Sequence, residues 1–518
     1  MLTAKERKAG SKMIPKAQKN ELLILYVVLK STVTAESLSQ LLEVPKRTIK
    51  EQIRHLNAAL EEQFAIKNLI SSNYKGEITF QPEHKEAGLA LFFQLKLFYI
   101  KQSVDFLIVT KLLTKPAITA NKLAQDLFIS RSYLSRKIKL LNAQLKDLDI
   151  SIQSKNGCVS FAGDEIIVRL FGFFLLADAY HALEWPFETF SRQELNSRIP
   201  PQILETSAKR SETKNSLLRY LFSIMQTRIA GGHFIPPAEN PALVELVEMM
   251  DSVYDISALL FTGTKKAMIP PAQQVNEGLY TNFFCHIFAS EFVPPMVIAE
   301  LGKKFAVSQN KYTRLALRLI RQVEAAARIK ISAATIDTFL YFLTLQIAYY
   351  EVMDHKIAPM ERFLFQSPNL STAFNTFLSH QIAEQLDQFI AHEALEYLND
   401  EKARMTLRNL LSILLEVENR SKTYIYIQIY KEFSTKFMIS HMIASVFNAE
   451  NVVITDDFRK ADLVITDSLE QAGRAQRNIY FFDSLKNHDQ WKEILQAIQA
   501  IQLKKNAGRV NSLIACAR

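Results

Sequence analysis

Two stretches near the start of the chain share one hydrophobic plan: a short helix with an apolar inner face, a tight turn, and a second helix with cationic outer positions. In residues 118 to 142, ITANKLAQDLFISRSYLSRKIKLLN, the spacing places Leu123, Ala124 and Leu127 inward on the first helix, and Ile129 closes the turn. Ser130 is the expected cap of a second helix whose inner stripe is Leu134, Ile138 and Leu141 and whose outward residues are Arg131, Ser132, Tyr133, Ser135, Arg136 and Lys139. Residues 33 to 57, VTAESLSQLLEVPKRTIKEQIRHLN, repeat the plan more weakly. Thr34 is the expected cap, Leu38, Leu41 and Leu42 pack inward, Glu43 and Val44 turn, and Pro45 stands where a first-turn proline is tolerated. The helix that follows runs to about Leu60, with Ile49, Ile53 and Leu56 inward and Lys46, Arg47, Thr48, Lys50 and Arg54 outward.

Each unit is followed by an alternating stretch that predicts a two-stranded wing. AIKNLISSNYKGEITFQ folds around Lys75-Gly76, and ISIQSKNGCVSFAG around Asn156-Gly157. Before the first unit, Leu22, Leu23, Leu25, Tyr26 and Leu29 form a helical face, and an apolar helical stretch from Ala87 to Leu113 joins the units. From Asp164 to about Glu416 the pattern is helical, broken by Pro pairs at 236–237, 270–271 and 294–295. NSLLRYLFSIMQTRI and IDTFLYFLTLQIAYY have the character of equivalent helices in a duplicated bundle. The period then changes: TYIYIQIY, NVVIT, ADLVITD and NIYFF read as strands, while FSTKFMISHMIASVF and WKEILQAIQAIQLKK read as helices, which predicts a small α/β domain with a parallel sheet.

The expected fold is mainly α and multidomain, with boundaries at 1–82 and 83–163 for tandem winged helix-turn-helix domains, 164–290 and 291–418 for two helical-bundle regulation domains, and 419–518 for the α/β domain. Five modules suit 518 residues at roughly 100 to 200 residues per domain. With only 13 Gly and 16 Pro among them, turns are sparse and helix is favoured.

Charge sharpens the reading. The net +9 is concentrated: Lys5, Arg7, Lys8, Lys12, Lys16 and Lys19 precede the first unit, and Arg131, Arg136, Lys137 and Lys139 crowd the second, a pattern suited to a polyanion. A helix of this kind fits the major groove of double-stranded DNA, where Arg and Lys meet guanine edges and other cations and hydroxyls hold phosphates. Cys158, Cys285 and Cys516 form no CxxC pair, so neither a disulfide framework nor a structural metal is expected, and no cofactor motif is present. Without a Gly-rich phosphate loop or a nucleophile turn, catalysis is not expected. Lys16, Lys19 and Asn20 interrupt any leader-like apolar run, and LFGFFLLADAY is too short to span a bilayer, so a cytoplasmic protein with no membrane association is expected. His181, His233, His286, His355, His380 and His392 are scattered through the helical body.

The order of parts resembles the Mga and AtxA family of virulence regulators from Gram-positive bacteria, most specifically in LAQDLFISRSYLSRKIKLLN and the following GCVSFAGDEIIVRLF, similar to that family's main DNA-binding domain. The resemblance implies two phosphotransferase-regulation domains and a terminal domain like the IIB component of the sugar phosphotransferase system. It also implies a homodimeric activator of virulence or metabolic genes, assembled through the C-terminal region, with phosphotransferase-system proteins as candidate partners. Regulation domains of this type often carry a histidine in a motif resembling YLxLHI; here the similar helix reads YFLTLQI, with Gln346 at that place, and YLFSIMQTR also lacks it. His233 and His355 are the remaining candidate phosphorylation sites. After TYIYIQIY, Lys431, Glu432, Ser434 and Thr435 occur with no Cys, which suggests an assembly role for the IIB-like part. The competing functions are an RNA-binding antiterminator, which would need a small β-rich module at the amino terminus, and a phosphotransferase-system component.

Overall fold

The computed structural model describes residues 13–73, 76–81, 87–189, 191–196, 212–237, 239–257, 269–365, 376–418, 422–429, 434–449, 451–467, 478–482 and 488–515. The chain forms two compact units, Met1–Leu301 with Leu345–Ser371, and Gly302–Thr344 with Thr372–Arg518.

In the first unit, the apolar face of α1 (Lys16–Lys30) buries Leu22, Ile24, Leu25, Val27 and Val28. A short strand β1 (Val33–Thr34) leads into α2 (Ala35–Leu42) and α3 (Lys46–Phe64), and the strands β2 (Ile70–Ser72) and β3 (Glu77–Phe80) complete an antiparallel sheet of order β1-β3-β2. Lys75 of the expected wing turn lies outside the described residues, while Gly76 has φ 77°. The apolar stretch that follows is two helices, α4 (Gly88–Lys101) and α5 (Val104–Thr114).

The pattern then recurs: β4 (Ile118–Thr119), α6 (Ala120–Asp126), α7 (Arg131–Leu145), β5 (Ile150–Lys155) and β6 (Cys158–Gly163), with sheet order β4-β6-β5. Asn156 and Gly157, at φ 53° and 80°, make the tight turn expected of an Asn-Gly pair. At the base of this hairpin Gly163 has φ 121°, and a Cβ there would sit 2.3 Å from the Asp149 carbonyl oxygen, so only glycine closes it.

Helical structure continues with α8 (Glu165–Tyr180), α9 (Glu212–Ala230), α10 (Pro241–Asp251), α11 (Pro271–Phe288) and α12 (Pro295–Val307). Two of the three proline pairs start helices, Pro271 on α11 and Pro295 on α12, where a missing N–H costs nothing. Helix α9 packs along α8 and α5.

The second unit contains the end of α12, α13 (Lys311–Ala327), the start of α14 (Ala333–Met353), α15 (Thr376–His392) and α16 (Glu401–Glu418). Its α/β part follows the expected alternation: β7 (Thr423–Gln428), α17 (Thr435–Val446), β8 (Val452–Ile454), β9 (Leu463–Thr466), β10 (Asn478–Phe481) and α18 (His488–Ala515). The sheet is wholly parallel with order β10-β9-β7-β8. Its core is nearly all β-branched, joining Ile425, Ile427, Val452 and Ile465 to Ile439 and Ile443 of α17 and Ile494 and Ile498 of α18. Among the described residues no helix is long and apolar enough to cross a membrane.

Candidate nucleic-acid interface

Both helix pairs are fixed by the same local chemistry. Thr34 accepts a hydrogen bond from the Ser37 N–H while Ser37 Oγ reciprocates toward the Thr34 N–H, a capping box that starts α2. Thr119 caps α6 through the Lys122 N–H, and Ser130 caps α7 through the Tyr133 N–H at 3.2 Å. The turn between helices is left-handed in both copies, Glu43 at φ 53° and Phe128 at φ 54°. Those two positions lie 85 residues apart, and the same offset relates every equivalent position from 33–57 to 118–142.

Inner stripes obey that offset too. Ile49, Leu56 and Leu60 of α3 are fully buried, as are their equivalents Leu134, Leu141 and Leu145 of α7. Ile53 and Ile138, expected in the stripe, are half-buried at its margin. Leu41 corrects the expectation that it packs inward: it is 42% exposed, because Leu38 alone fills the contact of the short α2. Leu42 and Leu127 are half-buried.

The residues that join each second helix to its wing were not singled out by sequence reasoning. Asn57 donates from Nδ2 to the Ile70 carbonyl at 2.8 Å and accepts from the Ile70 N–H at 3.0 Å. Asn142 does the same to Ile152, at 2.9 and 2.7 Å. Each amide thus stands in for a strand neighbour, locking the first wing strand to the helix. The signal was the Leu-Asn pair that closes both repeated stretches.

On the outer face of α7, Arg131, Ser132, Ser135, Arg136 and Lys139 are exposed, and at about 100° per residue they fall in one arc of about 140° opposite Leu134, Leu141 and Leu145. Tyr133 is half-buried, with Arg136 5.0 Å and Lys137 5.8 Å from its ring. Lys137 does not face outward with the others; it turns back to Asp105 of α5, 3.1 Å away. Neither Arg131 nor Lys139 meets an acid among the described residues. On α3, Lys46, Arg47, Lys50 and Arg54 are exposed and Thr48 is half-buried. Here two cations are partnered, Lys46 by Glu36 and Arg47 by Glu51 at 3.4 Å. Of the amino-terminal cluster, Lys5, Arg7, Lys8 and Lys12 lie outside the described residues; Lys16 is exposed, and burial holds the half-buried Lys19 amine below its ordinary pKa. The arrangement offers cations and hydroxyls on a helix the width of a major groove, beside a hairpin.

The wing of this second unit is anchored to the helical body by a buried ionic cluster. Arg228 of α9 donates to Glu165 Oε2 at 2.6 Å and to the Phe161 carbonyl of β6 at 3.2 Å. Arg169, 1% exposed, bridges Glu165 at 2.9 Å and Glu277 of α11, whose other oxygen takes a second guanidinium N–H at 2.9 Å. Burial alone would raise the Glu165 carboxyl, but Arg228 and Arg169 hold it below the ordinary range. His233 belongs to this neighbourhood through its carbonyl, which accepts from Arg169 at 3.0 Å. Its half-buried ring has a pKa lowered by burial and by Arg228. His355 is exposed with φ 63°. His286, at the end of FFCHI, is 1% exposed, and burial lowers its pKa to about 4, so its ring stays neutral inside α11. Gln346 is half-buried on α14.

A protein with a helix-turn-helix unit is the class these elements define. Residues 92–176 match the Mga helix-turn-helix domain. Over 295 residues the chain is 21% identical to a Streptococcus pneumoniae serotype 4 protein provisionally described as a trans-acting regulator, a match covering 56% of each chain. It is 24% identical over 240 residues to the capsule synthesis positive regulator AcpA of Bacillus anthracis, covering 46% of each. The chain spans about half the length of the curated relatives it matches. These matches support a resemblance to the Mga/AtxA-like regulators, carried by the helix-turn-helix region.

Proposed function

We propose that this chain is a transcription regulator that binds duplex DNA chiefly through α7, with the β5–β6 wing and, more weakly, α3 adding backbone contacts. The observation that carries this reading is the exposed row of Arg131, Arg136 and Lys139, set opposite a packed stripe and next to a capped helix start. Few of the outward side chains suit base edges, so recognition rests mainly on phosphates and duplex shape. Binding should then weaken steeply with salt, the logarithm of affinity falling by about 0.9 per phosphate contact for each decade of salt. A mobility-shift titration with duplex DNA, single-stranded DNA and an RNA hairpin decides: duplex preference with that salt slope supports the reading, and preference for RNA would transfer it to an antiterminator.

In this reading the tandem units, the two helical regions and the terminal α/β domain keep the boundaries expected from sequence. The protein acts as an activator, in line with the word positive in the description of the Bacillus anthracis relative. It pairs with a second copy through the terminal domain, where Phe437 is 76% exposed on α17 and Met438, Ile479 and Phe481 are exposed as well. Sedimentation of the full chain and of Phe437→Ser tests the pairing. Regulation runs through phosphotransferase-system proteins acting on His233 or His355; a phosphate on His233 would meet Arg228, and acid-labile label lost in the His233→Ala and His355→Ala variants is the check.

A further inference from the structure

Residues 354–365 follow α14 and by sequence continue the second helical domain, yet in the structure they lie against the DNA-binding half of the chain. Asp354 and His355 both adopt left-handed backbone, φ 39° and 63°, so the chain breaks sharply out of α14. Beyond that break, Lys356 Nζ lies 3.4 Å from Asp149 Oδ2 and Arg362 donates to Asp147 Oδ2 at 2.7 Å. Asp147 and Asp149 form the elbow that joins the end of α7 to β5. Asp149 is itself left-handed, and its carbonyl is the atom that forces glycine at position 163.

Apolar contacts hold the same segment down. Ile357, Met360 and Phe363 are buried, and Phe363 meets Phe171 of α8 edge-on with ring centres 5.1 Å apart. Phe365 packs 5.5 Å from Phe92, its N–H donates to Asp178 Oδ2 at 3.0 Å, and the buried Lys96, bonded to the same carboxylate at 2.7 Å, lies over its ring at 5.3 Å. The segment therefore spans from the α7–β5 elbow to α4.

Resting on the reading of α7 as the DNA-binding helix, we infer that residues 354–365 are a strap that holds the α7–β5 elbow, with Arg362 and Lys356 as its positioning residues. A helix and its wing engage one duplex only at a particular mutual angle, and that angle is set at the elbow. Arg362 and Lys356 also neutralise the two carboxylates of the elbow. The helical body can thus pass its state to the DNA-binding unit by seating or releasing this strap, whatever signal it senses.

The test separates positioning from simple charge. Asp147→Asn with Asp149→Asn removes two negative charges from the proposed DNA-binding unit, so electrostatics alone predicts tighter binding to mixed-sequence duplex DNA; the strap predicts binding weaker by about three- to tenfold. Lys356→Glu with Arg362→Glu should weaken it in the same direction. In the absence of DNA, both full-length variants should show wing amides, residues 150–155 and 158–163, exchanging with solvent about tenfold faster, with those of 70–72 and 77–80 unchanged. Unchanged wing exchange overturns the strap. Faster exchange with equal or tighter DNA binding overturns its positioning role. If the unaltered chain fails to bind duplex DNA, the functional reading fails, while the exchange result still judges the strap.

Discussion

The two repeated helix pairs, 33–57 and 118–142, carry one scaffold and two different surfaces. Their buried stripes, first-helix threonine caps, left-handed turns and wing-locking asparagines coincide at an offset of 85 residues. Their charges do not. Residues 33–57 hold four cations against the acids Glu36, Glu43 and Glu51, a net +1, whereas residues 118–142 hold five cations against Asp126 alone, a net +4. In the first unit Glu36 and Glu51 occupy cations that a phosphate would need. In the second, the position of Glu51 is Arg136 and that of Glu36 is Asn121. Folding constrains the undersides of both helices equally, so the difference on the outer faces is where function is written.

The largest expected effect follows from the +4 face. Arg131→Ala, Arg136→Ala and Lys139→Ala together should lower duplex affinity on the order of a hundredfold or more and reduce the salt slope by about 0.9 per lost contact. The side chains are exposed, so the melting temperature should stay within the scatter of surface substitutions. The equivalent set on α3, Lys46→Ala, Arg47→Ala and Arg54→Ala, should cost several-fold less in affinity. Equal losses from the two sets would erase the distinction between the units.

Next in size is the wing lock. Replacing Asn142 by Ala removes two hydrogen bonds to Ile152 and leaves its N–H and carbonyl without those partners, a cost of about 1–3 kcal/mol. Asn57→Ala costs a similar amount at Ile70. Thermal unfolding should register both alike, while duplex binding should suffer mainly from Asn142→Ala; a DNA-binding defect of the same size in Asn57→Ala would make the first wing an equal reader.

These asparagines also show what sequence reading reaches. Helical stripes such as Leu134–Leu141 are visible because burial repeats with the helix period, and caps such as Ser130 because they precede a stripe. The terminal domain was readable for the same reason, its β-branched runs alternating with amphipathic helices. A polar residue inside a stripe carries no period, so Asn57 and Asn142 stand out only when the copies are compared. Glu165, Arg169, Arg228 and Glu277 look like interruptions of apolar helices until the fold brings them together across 112 residues. The placement of Arg362 on Asp147, 215 residues away, leaves no local trace at all.

A charge graft would convert one surface into the other. Glu36→Asn with Glu51→Arg gives the first unit the residues the second has at those positions, frees Lys46 and Arg47, and raises the net charge of 33–57 from +1 to +4. The ion pairs lost are exposed and contribute about 0–1 kcal/mol each, so folding should be little changed. Duplex affinity should rise about two- to tenfold at low salt, with a steeper salt slope. No gain would mean that α3 is held away from the duplex by something other than its charge.

The smallest effect lies in the turns, where the comparison is purely one of backbone. Glu43 and Phe128 each hold a left-handed conformation that places Cβ against the following carbonyl, at a cost of about 1–2 kcal/mol relative to glycine, while glycine gives back about 0.5–1 kcal/mol through the greater freedom of the unfolded chain. Glycine at either position should therefore stabilise the fold by about 0.5–1 kcal/mol, read as a higher urea midpoint at unchanged slope. Phe128 is 96% exposed, so its loss removes almost no packing and the full gain should appear there, with a smaller one at Glu43, whose side chain has an interaction to lose. A gain at Glu43 with a loss at Phe128 would show that the exposed ring supports the second turn in a way its backbone angle does not reveal, and the two scaffolds would no longer be the same.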